Sequence, residues 1–112
     1  MFPNLDSLMK EAQELQGKMA QVQERLAIIR LVGQAGEGSI AITVNGLQEV
    51  QQVRIDPDAM DRYTLAQLEG LLKEATNQAL AMSQAEAAKE MEKASGNLSP
   101  GKLLKNLPGL GK

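Results

Sequence analysis

Any chemistry in this chain falls to lysine, arginine and carboxylates, because its 112 residues include no histidine and no cysteine. Without histidine the usual general base and the commonest metal ligand are missing. Without cysteine there is no thiolate, no disulfide framework and no sulfur metal site. Serine and threonine have no histidine to activate them, so the sequence predicts a non-enzyme that takes no cofactor, metal or small-molecule substrate. The cations remain. Lys10 and Lys18 fall on the outer side of one predicted helix, with Arg25 seven residues after Lys18 at the same heptad position. Lys89 and Lys93 sit four apart on one face of a second. On projecting helices these five are candidate contacts to nucleic-acid phosphates. Glu14, Glu24, Glu86, Glu90 and Glu92 are interleaved with them, and a solvated surface of mixed charge is the competing reading.

Two other clusters have simpler explanations. Gly33, Gly36 and Gly38 are spaced like a phosphate-cradling loop, but a strand rather than a helix amino terminus follows, and Glu37 would repel phosphate. A tight turn punctuated by these glycines is expected. Asp56, Asp58 and Asp61 offer oxygen ligands, but a hard-cation site needs several converging on one loop. Asp56 and Asp58 flank Pro57, where acids suit the end of a strand or the start of a helix.

Composition narrows the partners. The net charge is −2, which tells against a strongly electrostatic binder of nucleic acid. Residues 31–58 carry Arg54 against Glu37, Glu49, Asp56 and Asp58, whereas residues 96–112 carry Lys102, Lys105 and Lys112 and no acid. Phe2 and Tyr63 are the only aromatics, so a base-stacking surface is nearly excluded. No apolar run approaches the roughly 20 residues that span a bilayer, and residues 1–10 lack the pattern of a signal peptide. A cytoplasmic protein without membrane partners is expected.

The elements that must position the cations are legible in the apolar spacing. Leu5, Leu8, Ala12, Leu15, Met19, Val22, Leu26 and Ile29 alternate at threes and fours, a seam for packing against another helix. The seam predicts a helix from Leu5 to about Leu26, roughly 33 Å long, capped by Asn4, with Gly17 outermost, in a chain that oligomerises. The period breaks at Ile28 to Val32, where a strand begins. Ile40, Ile42 and Val44 alternate with small or polar residues as in a half-buried strand. Asn45-Gly46 then signals a hairpin with positive φ at both residues. In the return strand Val50 is out of phase with Val53 and Ile55, and a bulge near Gln51-Gln52 would restore the pattern. Asp56-Pro57 stops the strand.

Residues 58–63 form a link with room for one helical turn, and Thr64 to Gln67 has the spacing of a capping box. A second long helix follows on the seam Leu65, Leu68, Leu72, Ala75, Ala79 and Met82. That seam gives the first helix an intrachain partner for part of its length. Its next positions are Glu86 and Lys89, so the helix should project past its core to about Ala94. The fold class is α+β: long helix, three-stranded antiparallel sheet, long helix. Residues 1–95 are expected to be a single domain and residues 96–112, rich in glycine and proline, a flexible tail.

The stretch from Gly36 through Ile40, Ile42, Val44 and Asn45-Gly46 to Val50, Val53, Ile55 and Asp56-Pro57 resembles the YbaB/EbfC family of bacterial nucleoid-associated proteins. The opening from Asn4 to Gln13 and the Gln- and Met-rich first helix are similar to that family too. The resemblance spans residues 1–95. It implies a tweezer-like homodimer, with sheets joined at the centre and long helices as arms. It also implies binding of double-stranded DNA with weak sequence preference, and roles in nucleoid organisation and gene regulation. By position on the arms, Lys10, Lys18, Arg25, Lys89 and Lys93 are the DNA-binding candidates. The alternative is a dimeric protein-interaction module without substantial DNA binding, favoured by the low charge and by Leu103, Leu104, Leu107 and Leu110 in the tail.

Overall fold

The computed structural model describes residues 5–95. Helix α1 (Leu5–Ile28) leads into strands β1 (Leu31–Ala35), β2 (Ile40–Val44) and β3 (Val50–Ile55). A single-turn helix α2 (Ala59–Arg62) and the long helix α3 (Leu65–Ser95) follow. The strands form an antiparallel meander in the order β1-β2-β3. The α+β architecture expected from the apolar spacing is therefore present. Asn4 and the 96–112 segment lie outside the described residues.

The sheet has one strongly buried strand, β2, with Ile40, Ile42 and Val44 facing the core. Helix α3 packs on β1 and β2, and Leu68, Ala75 and Ala79 join the cluster around Ile40, Ile42 and Val44. Small residues at 75 and 79 let the helix backbone lie close to the sheet. Gly33 is their counterpart. It sits within β1 rather than in the turn, because a Cβ there would collide with the Ala75 carbonyl and come within 2.6 Å of the Ala79 nitrogen. The turn itself is made by Gly36, Glu37 and Gly38, all with positive φ, and the Ser39 N–H donates to the Gly36 carbonyl at 3.1 Å.

The β2–β3 connection differs from the two-residue turn expected at Asn45-Gly46. The loop runs through Glu49, and its positive φ falls on Gln48. Asn45 organises it from within. Its buried side-chain oxygen accepts from the N–H groups of Leu47 and Glu49, and its amide donates to the Ala27 carbonyl and to Glu49 Oε1. Gly46 is required by close approach: a Cβ there would lie 2.6–3.0 Å from Leu26 atoms, and its N–H donates to the Leu26 carbonyl at 2.7 Å. The Gln48 N–H donates to Ser83 Oγ, so the loop fastens both long helices to the sheet.

The bulge expected in β3 is present. Thr43 opposes Gln52 and Val44 opposes Val50, which leaves Gln51 as the extra residue. Val53 and Ile55 therefore share the face of their partners Ile42 and Ile40. They are nonetheless exposed, as is all of β3, because α3 covers the other two strands. At the start of α3 the capping box closes in both directions, with Thr64 and Gln67 exchanging N–H to side-chain oxygen bonds at 2.9 and 3.1 Å. Arg62 of α2 donates to Ser39 Oγ at 2.6 Å and lies over the Tyr63 ring.

The two seams are covered for only part of their length. In α1 only Val22 and Leu26 are buried, and Leu5, Leu8 and Leu15 are exposed. In α3 the buried line runs Leu68, Ala75, Ala79, Ser83 and Glu90, leaving Leu65 and Met82 exposed. Steps of four in a helix advance the line by about 40° each. From Ala75 to Ser83 that drift carries the buried face from the sheet cluster to the β2–β3 loop, where Ser83 accepts the Gln48 N–H. Leu68, Ala75 and Ala79 thus serve the sheet, and the ion pair with α1 lies beyond them, at Glu90.

Candidate nucleic-acid interface

The five candidate cations divide into two groups. Lys10 and Lys18 stand exposed on α1, and Lys89 is exposed on α3. Arg25 and Lys93 instead converge on one acid. Arg25 Nε donates to Glu90 Oε1 at 2.9 Å, and Lys93 Nζ lies 3.6 Å from Glu90 Oε2. The Glu90 side chain is only 11% exposed, whereas that of Arg25 is half exposed. The pair therefore joins the helices at the margin of their contact, with the acid inside and the cations outside.

Heptad geometry accounts for Arg25. Counted from Leu5 at position a, Arg25 falls at g, beside the seam, where side chains reach across to a neighbouring helix. It is thus not on the outermost face. The hydrogen bond from Arg25 holds the Glu90 carboxyl below the ordinary glutamate range. Partial burial works in the opposite direction, and the charges of Lys93 and Arg25 add to the lowering. Glu90 is the residue that sequence reasoning missed, grouped there with the solvated acids. Its signal was present: it continues the line Ala75, Ala79, Ser83 by one heptad.

Other sequence candidates resolve simply. Asp56 Oδ1 accepts the Asp58 N–H at 3.0 Å, a local turn bond. Among the described residues no group of three acidic side chains is arranged to hold a metal ion. No described helix is long and apolar enough to cross a membrane.

Residues 1–98 match the YbaB/EbfC DNA-binding family. The chain belongs to that family. A nucleoid-associated protein of Clostridium novyi is 36% identical over 107 residues, covering 96% of this chain and 88% of its own. One from Paramagnetospirillum magneticum is 42% identical over 100 residues, covering 88% of this chain and 94% of its own. An uncharacterized protein of Helicobacter pylori superposes with a TM-score of 0.76, covering 85% of this chain and all of that one, at 16% identity. That likeness concerns the fold. YbaB/EbfC is a DNA-binding family rather than an enzyme family.

Proposed function

We propose that this protein binds DNA in the nucleoid as a homodimer, gripping the duplex by its phosphates and contributing to nucleoid organisation and gene regulation. The observation that carries the reading is the family match, which spans every described element. The relatives' shared description as nucleoid-associated proteins supports the location. Lys10, Lys18 and Lys89 are the primary phosphate contacts, and Arg25 and Lys93 contribute from their pair with Glu90. Near-absence of aromatics favours backbone contact over base stacking.

Strand β3 supports the dimer. It is an edge strand whose Val50, Val53 and Ile55 are about half exposed on the core-facing side of the sheet. An edge of this kind invites pairing with another strand. A second copy would cover it and set two pairs of helices on either side of a shared sheet, with residues 1–95 as the folded unit of each protomer.

A duplex-binding titration at several salt concentrations tests the proposal. Each phosphate neutralised contributes about 0.9 to the slope of log affinity against log salt. Lys89→Glu combined with Lys93→Glu should weaken binding and flatten that slope. An unchanged slope removes both residues from the interface. Absence of duplex binding at physiological salt overturns the reading and leaves the protein-interaction module.

A further inference from the structure

The first half of α1 carries an apolar stripe that no described element covers. Leu8, Ala12 and Leu15, with Glu11, Glu14 and Lys18, line an open groove of about 560 Å³. Leu5, Leu8 and Met9 are each more than half exposed. A second groove shares Ala12 and Leu15 and extends the stripe to Met19. Grouped apolar surface of this kind on a short chain marks a place where something binds.

We propose that this groove is the docking site for residues 96–112 of the same chain. Ala94, one residue before the end of α3, already lines it, so α3 ends beside the groove. Leu103 is eight residues beyond Ser95, a span of up to about 28 Å when extended, which exceeds the roughly 10 Å from Leu8 to Leu15 along a helix. The segment supplies Leu98, Leu103, Leu104, Leu107 and Leu110 for an aliphatic groove. It carries Lys102, Lys105 and Lys112 with no acidic residue, and the groove presents two acids, Glu11 and Glu14, against one cation, Lys18. Tethering favours this occupant over a second copy, because a short linker holds its segment at an effective concentration of about millimolar. Docking sets Lys102 and Lys105 on the helix that bears Lys10 and Lys18, and so adds cations to that arm.

Introduced cysteines test this in the full chain, which has none of its own. Ala12→Cys is combined in turn with Leu103→Cys, Leu104→Cys and Leu107→Cys. Gly17→Cys, at a position with nothing within 4 Å, replaces Ala12→Cys as the control. At least one Ala12→Cys pairing should form an intrachain disulfide several-fold faster than its control. Equal rates overturn the proposal. Disulfides that join two differently tagged chains overturn it in favour of a second copy. Independently, Leu103→Ser/Leu104→Ser/Leu107→Ser in the full chain should speed amide hydrogen exchange across residues 5–19 several-fold. Unchanged exchange there also overturns it.

Discussion

Arg25 and Glu90, 65 residues apart in sequence, form the hydrogen-bonded ion pair that ties α1 to α3. Glu90 also holds Lys93, so one acid engages two of the five cations proposed to meet DNA. Glu90→Gln keeps the side-chain shape and removes the charge. Duplex affinity should rise, and the salt slope should steepen by up to about 0.9 for each cation released to phosphate. An unchanged slope would mean that neither Arg25 nor Lys93 reaches DNA.

The same pair makes stability depend on acid. The folded Glu90 carboxyl titrates below its unfolded value because Arg25 hydrogen-bonds the charged form. Its contribution is full above the unfolded pKa and disappears as pH falls through the lower folded value. Urea midpoints measured from about pH 5 to about pH 3 should therefore drop more for the natural protein than for Glu90→Gln. Parallel curves would exclude Glu90 as the source.

Gly33→Ala drives a methyl into the backbone of α3 at Ala75 and Ala79, which cannot give way as a side-chain tip can. A loss of about 1–3 kcal/mol or more in denaturant unfolding is expected. Gly17→Ala meets nothing within 4 Å and should gain up to about 1 kcal/mol from helix propensity alone.

Asn45→Ala removes four hydrogen bonds, three within the β2–β3 loop and one to the Ala27 carbonyl at the end of α1. The N–H groups of Leu47 and Glu49 and the Ala27 carbonyl lose their partner, at a cost of about 1–3 kcal/mol. Exchange of the loop amides should accelerate together with that of the end of α1, since Asn45 and Gly46 both bond to its carbonyls.

Val53→Glu places a charge on the exposed core-side face of β3 without touching the buried cluster. Sedimentation should report a dimer for the natural protein and a shift toward monomer for the variant. A variant that stays fully dimeric would move the interface elsewhere.

Much of this protein is written in spacings of a few residues. The alternation at Ile40, Ile42 and Val44, the phase slip that produces the bulge at Gln51, and the reciprocal Thr64–Gln67 cap are local physics, and the sequence alone determined them. The resemblance carried by residues 36–57 reached the family as well. Partnership between distant residues is another matter. Periodicity gives a helix a face but does not say what covers it, so the division of α3 between the sheet cluster and the Arg25 pair had to come from tertiary packing. Gly46 reads as a turn glycine until Leu26 is seen against it, 20 residues away. Glu90 reads as one of several surface acids until Arg25 is brought beside it. In each case the residue type was visible, and the deciding quantity was a distance between atoms far apart along the chain.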